Sequence, residues 1–155
     1  MEPRQITWVH KSNGAHAKFA VHAGIDSGKK LYVARASHYG GLIPGKLHIG
    51  HSHVYIPYNG LEVSLPNYEV LIAPPGTLSW VDGEGSNIPH NAIQGGHDPN
   101  GEPYYIGRVF HQGTITVGKV QRSHGSCYVA YGGKEHAYRN YEILVRNAYG
   151  RALNV

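Results

Sequence analysis

Leu31-Tyr32-Val33-Ala34-Arg35-Ala36 and Tyr104-Tyr105-Ile106-Gly107-Arg108-Val109 are the same stretch occurring twice, 73 residues apart. Each alternates with a period of two and is rich in aromatic and β-branched residues, the pattern of a strand with one face against a core. Towards the C-terminus from this pair the register holds without a gap. His38, Gly40, Gly45 and Lys46 map onto His111, Gly113, Gly118 and Lys119, and His51, Tyr55, Tyr58, Gly60 and Glu62 onto His124, Tyr128, Tyr131, Gly133 and Glu135. Asn67-Tyr68-Glu69 recurs as Asn140-Tyr141-Glu142. On the N-terminal side the offset is 72, carrying Trp8-Val9 to Trp80-Val81 and Asp26 to Asp98. One residue therefore enters the second copy, in Asp98-Pro99-Asn100-Gly101 against Asp26-Ser27-Gly28. Such a register marks an internal duplication.

The duplication sets the domain organisation. Repeat one runs over 8–72 and repeat two over 80–145, joined by a connector at 73–79 whose Pro74-Pro75-Gly76 cannot continue a strand ladder. A unit of this size is marginal alone, so the two are expected to share one core about a pseudo-twofold axis, as a single domain over 1–155. Val54-Tyr55-Ile56 with Cys127-Tyr128-Val129, and Tyr68–Ile72 with Tyr141–Val145, read as further strands. Gly40-Gly41, Asn59-Gly60 and Gly132-Gly133 read as turns. No window has the 3.6-residue period of an amphipathic helix, and the expected fold is antiparallel and all-β.

Composition excludes several classes. Among 155 residues there are 21 Gly, 12 Tyr and 12 His, with only 15% charged, a strand-and-turn balance. The net charge of +4 is spread over scattered Lys and Arg, without the basic run that would mark a nucleic-acid partner. One cysteine, Cys127, rules out an internal disulfide. The N-terminal MEPRQITWVH lacks a signal-peptide core and no apolar run is long enough to span a bilayer as a helix, so the cytoplasm is the default expectation and unconventional export or surface association the alternative.

Gly40-x4-Gly45-Lys46 and Gly113-x4-Gly118-Lys119 look superficially like phosphate loops, but Leu47 and Val120 stand where the required Ser or Thr would be, and no helix follows. His48, His51 and His53 have the donor chemistry for zinc or copper, and alternation on a strand would put His51 and His53 on one face. Only His51 has a counterpart, His124, and no metal is expected. Cys127 near His124 suggests a thiol nucleophile, yet its counterpart is Val54 in an apolar strand, which reads as a small buried hydrophobe. The carboxylates come as equal pairs, Glu62 with Glu135 and Glu69 with Glu142, a pattern suited to duplicated binding sites rather than one catalytic centre. No enzyme activity, catalytic residue or cofactor is expected. Asp26 with Lys46, and Asp98 with Lys119, either shape turns and solvated edges or converge on one surface. If they converge, a carboxylate accepting from vicinal hydroxyls beside an ammonium that donates to them suits a neutral sugar, with Tyr supplying apolar ring faces.

The order W-V … A-V/I-x-x-G-x-D … Y-V/I-x-R-A/V-x-H-x-G … G-K … Y-x-x-Y-x-G-x-E … N-Y-E-V/I-L, running from Trp8 to Leu144, resembles the DM-nine repeat, which is shared with natterin-type fish proteins. The two-repeat layout is similar to that of the family's mannose-binding oyster lectins, which act in innate immunity without a metal. The resemblance implies that the acid of G-x-D and the lysine of G-K are sugar ligands: Asp26, Lys46, Asp98 and Lys119. Arg35, Arg108, Glu62 and Glu135 also match repeat motifs and are carried as framework or rim residues. Mannose or mannose-rich glycans on microbial surfaces are the expected partners, with bivalency or a homodimer supplying avidity. The competing expectation is a protein-interaction or membrane-associated effector of the same family, in which Asp and Lys only shape turns.

Overall fold

The computed structural model describes residues 2–147. Repeat one contributes β1 (Thr7–Ser12), β2 (His22–Asp26), β3 (Lys29–His38), β4 (Gly41–His48), β5 (Val54–Tyr58), β6 (Leu61–Leu65) and β7 (Asn67–Ile72). Repeat two contributes β8 (Leu78–Glu84), β9 (Gln94–His97), β10 (Pro103–His111), β11 (Thr114–Gln121), β12 (Ser126–Tyr131), β13 (Lys134–Tyr138) and β14 (Asn140–Arg146). Among the described residues the one helical element is a 3₁₀ turn, Arg122–His124. The all-β expectation holds, and the long alternating stretches form the two longest strands, β3 and β10.

All fourteen strands hydrogen-bond in one antiparallel sheet ordered β1-β7-β3-β2-β11-β12-β13-β6-β5-β4-β9-β10-β14-β8, with β3–β4 and β10–β11 pairings in addition. Read from its two ends this order gives corresponding strands of the two repeats at every step, the expected pseudo-twofold relation. Its central pairings cross between repeats. β2 meets β11 at Ile25 and Ile115, β4 meets β9 at Leu42 and His97, and β6 meets β13 at Leu61 and Lys134. Each repeat thus satisfies its open backbone groups on the other.

The side chains follow the same plan. A central cluster takes Ala23, Val33 and Leu71 from repeat one and Ile93, Ile106, Val117 and Leu144 from repeat two, with Trp8 and Trp80 packed on it. Matching flanking clusters form around Leu47, Val54 and Tyr68, and around Val120, Cys127 and Tyr141. At roughly 1.5–3 kcal/mol per buried aliphatic side chain, this joint centre would be forfeited by either repeat alone. Two arginines lock the halves together. Arg35 donates to Glu69 at 2.7 Å and to Gly95 O at 3.2 Å while lying 4.0 Å over Trp8. Arg108 donates to Glu142 at 2.7 Å and to Ala23 O at 3.0 Å, 4.4 Å over Trp80. Each guanidinium spends one donor inside its own repeat and one across the axis, a framework role.

Candidate ligand-binding sites at the repeat interface

The Gly-Lys pairs sit inside strands rather than after them. Lys46 lies within β4 opposite Tyr55, and Lys119 within β11 opposite Tyr128. The preceding glycine is required by a close approach: a Cβ on Gly45 would stand 2.2 Å from Tyr55 O, and one on Gly118 1.9 Å from Tyr128 O. The lysines that follow are buried, Lys46 3% and Lys119 5% exposed. Neither lysine is the solvated edge residue of the simpler sequence reading.

The partner of each lysine is a glutamate. Lys46 Nζ lies 3.6 Å from Glu62 Oε2 and Lys119 Nζ 3.2 Å from Glu135 Oε2. The glutamates are held by the opposite repeat. Gly133 N–H donates to Glu62 Oε1 and Gly60 N–H to Glu135 Oε1, both at 2.9 Å. The return bonds run from Glu62 N–H to Gly133 O and from Glu135 N–H to Gly60 O, both at 3.0 Å. The β5–β6 and β12–β13 hairpin tips therefore clasp one another. The clasp works because Asn59-Gly60 (φ 50° and 83°) and Gly132-Gly133 (φ 63° and 86°) adopt the left-handed turn conformation predicted from their sequence.

Tyrosines complete the walls, again from both repeats. Tyr131 and Tyr55 rings lie 5.4 and 6.0 Å from Lys46 Nζ, and Tyr128 and Tyr58 rings 5.5 and 5.8 Å from Lys119 Nζ. These are distances at which an ammonium is attracted to a ring face. Tyr55 and Tyr128 hydroxyls each share a 2.8 Å hydrogen bond with His51 and His124. Burial, first among the influences, pulls both lysines below the ordinary lysine range, while the glutamates pull the other way. Burial, reinforced by Glu62 and Glu135, raises the Tyr55 and Tyr128 phenols. Each site is a carboxylate and an ammonium held side by side among aromatic rings. It offers acceptors, donors and an apolar wall side by side. The Tyr and His members recur in both copies, so their signal was present in the sequence without pointing to the lysines.

The aspartates behave differently in the two copies. Asp26 Oδ2 lies 3.6 Å from His48 Nε2, His48 stacks on His51 at 3.9 Å, and the Asp26 charge acts on Lys46. Asp98 folds back into its own lengthened turn, Oδ1 accepting from Asn100 N–H and Glu102 N–H at 2.9 Å. Tyr104, where repeat one has Leu31, lies 5.2 Å from Lys119 Nζ; burial, helped by the Asp98, Glu102 and Glu135 charges, pushes its phenol up to about 12. The lysines differ too. Lys46 Nζ donates to Ala130 O at 2.7 Å, whereas among the described residues Lys119 makes no corresponding carbonyl bond. In site one Asp26 accepts from Ser27 Oγ at 3.1 Å beside His48, and Lys46 is spent on a carbonyl. In site two Asp98 is spent on its own turn, and Lys119 is held by Glu135 at 3.2 Å.

The other sequence candidates resolve simply. His51 and His53 precede β5, so no strand alternation sets them on one face; His53 Nδ1 bonds Ser52 Oγ instead. Among the described residues no group of three or more His, Cys, Asp or Glu is placed to hold a metal ion. Cys127 is fully buried and burial raises its thiol well above the ordinary range, which leaves no thiolate nucleophile.

Comparison with known proteins agrees with the repeat reading. The family model of the DM9 repeat matches residues 1–65 and again 56–138. Natterin-3 of Thalassophryne nattereri is 24% identical over 98 residues, 62% of this chain and 24% of that protein. The crystal structure of the nematode sperm cell motility protein MFP2B shares the fold, with a TM-score of 0.69 at 14% identity over 96% of this chain and 48% of that one. The chain thus spans about half of the second relative and about a quarter of the first. Matched by the repeat model in two copies along most of its length, the chain belongs to the DM9 repeat family.

Proposed function

We propose that the protein is a carbohydrate-binding, lectin-like module for mannose-type glycans, with two related but unequal sites built around Lys46–Glu62 and Lys119–Glu135. The observation that carries this reading is the duplicated constellation of ammonium, carboxylate and tyrosine rings, each assembled from both repeats. Vicinal hydroxyls can accept from the ammonium and donate to the carboxylate while a ring face covers the sugar's C–H edge. Asp26 adds an acceptor at the rim of site one. In this reading the module binds and does not catalyse, and it needs no metal. Two weak sites in one chain favour multivalent targets such as microbial surface glycans, where avidity multiplies modest affinities; a role in pathogen recognition or agglutination follows.

The burial of Lys46 and its bond to Ala130 O favour a second reading, in which the Lys–Glu pairs only fasten the hairpins and the partner is not a sugar. A mannose-glycan array and calorimetric titration separate the two, using wild type and the Lys46→Met/Lys119→Met protein. Methionine keeps the packing volume, and circular dichroism confirms the fold. Loss of glycan binding by the folded double variant is expected. No binding by wild type, or unchanged binding by that variant, would overturn the carbohydrate reading.

A further inference from the structure

We infer that the Lys119 site takes an extended carbohydrate of at least two linked rings, the outer ring stacking on Tyr39. This rests on the carbohydrate reading above and assigns the two sites different ligands. Tyr39 is 77% exposed at the tip of the β3–β4 hairpin, with φ at 47°, a conformation that favours Gly or Asn over an aromatic residue. The turn sets that φ, which Gln112 shares, but with so little of the ring buried, core packing does not account for an aromatic residue here. Its neighbours do suggest a use. The Tyr39 ring lies 5.9 Å from that of Tyr58 with 19° between their planes, and His38 meets both edge-on at 4.5 and 4.7 Å. Tyr58 in turn stands 5.8 Å from Lys119 Nζ.

A continuous aromatic shelf therefore leads from the Lys119 ammonium to the surface. The steps from Nζ to the Tyr58 ring, 5.8 Å, and from Tyr58 to the Tyr39 ring, 5.9 Å, are each comparable to one pyranose ring, which sets one ring at the ammonium and a second over Tyr39. A tyrosine fixed by its neighbours offers a broad amphipathic face with little rotamer freedom left to lose. The lengthened Asp98 turn and the missing carbonyl bond at Lys119 fit the same assignment, since the donors of this ammonium are not spent on the backbone.

The Lys46 side has no such shelf. Gln112 replaces Tyr39 at the matching hairpin tip, with the same φ of 47°. The counterpart of His38 is His111, which is 6% exposed and faces Tyr131 at 5.0 Å and His136 at 4.3 Å. That aromatic group is closed inward, and Lys46 is left a site for a terminal sugar ring.

The test is titration with methyl α-mannoside and with a mannose disaccharide, for wild type, Tyr39→Asn and Gln112→Tyr. Asparagine suits the left-handed turn, so Tyr39→Asn folds. The wild type is expected to prefer the disaccharide, and Tyr39→Asn to lower the disaccharide-to-monosaccharide affinity ratio about five- to tenfold, the size of one aromatic contact. The drop persists in a Lys46→Met background and vanishes in Lys119→Met. Gln112→Tyr, which extends the other side, raises the ratio. An unchanged ratio in Tyr39→Asn overturns the subsite and leaves the carbohydrate reading standing. A wild type that binds neither sugar overturns both.

Discussion

Replacing Glu62 by Gln tests whether the Lys–Glu pairs are energetically as coupled as their geometry implies. The amide keeps an oxygen for Gly133 N–H but withdraws the charge opposite a lysine that is 3% exposed. Orphaning one member of a buried ion pair costs about 3–5 kcal/mol. At Lys46 the loss should be smaller, about 2–3 kcal/mol, because Ala130 O still accepts at 2.7 Å and Asp26 supplies a nearby negative charge. Glu135→Gln should cost the full range, about 3–5 kcal/mol, since among the described residues Lys119 has no equivalent of the Lys46–Ala130 O bond to fall back on. For a protein of this size, Glu62→Gln should lower Tm by about 4–12 °C, and Glu135→Gln by more. Urea unfolding followed by Trp8 and Trp80 fluorescence, with calorimetry, measures both. Adding Lys46→Met to Glu62→Gln removes the orphaned charge and should recover part of the loss, leaving mainly the unpaired carbonyl. If Glu62→Gln stays within about 0.5 kcal/mol of wild type, or the double variant is no more stable than the single one, the coupling is refuted.

Gly118→Ala places a methyl 1.9 Å from the Tyr128 carbonyl and should cost about 3 kcal/mol or more, visible as loss of soluble protein or of the cooperative transition; a stable, soluble variant would contradict the strand placement of Gly118-Lys119. The Tyr104 phenol is raised to about 12 from 10.0, so the stability it contributes is fully present below pH 10 and is lost as the pH climbs towards 12. Tyr104→Phe should abolish that part of the alkaline fall, of order 2 kcal/mol, in pH-dependent urea titrations. The two lysines act with the opposite sign, because their lowered values relieve the folded state as the pH rises towards 10.5. Cys127 should resist a thiol reagent until the protein unfolds, and Cys127→Val, which installs the residue found at Val54, should change stability by less than about 1.5 kcal/mol.

The duplication, the β3 and β10 strands and the hairpin turns were legible because they rest on local signals: alternation, aromatic enrichment and left-handed turn residues. Gly45-Lys46 was not legible as strand interior, since glycine normally weakens a strand and only the approach of Tyr55 O explains it. The choice of Glu over Asp as lysine partner was hidden for a related reason. Glu62 is aligned by Gly133, a contact 71 residues away that no local pattern encodes. The single inserted residue was visible in the register, but not its effect, which was to divert Asp98 onto its own turn. Tyr58 and Tyr131 were seen as repeat markers, and their crossing to the opposite lysine follows only from the hairpin clasp.

The palindromic strand order has a consequence for how such a protein can diversify. Two separate copies of one repeat, pairing through the same crossed hairpins, would form a symmetric homodimer in which every mutation is imposed on both sites at once. Covalent tandem linkage removes that constraint while leaving the shared core intact. The extra residue at the Asp98 turn, Tyr104 in place of Leu31, and Gln112 in place of Tyr39 are each present on one side only. Linkage has turned a pair of obligatory replicas into two sites free to be tuned separately.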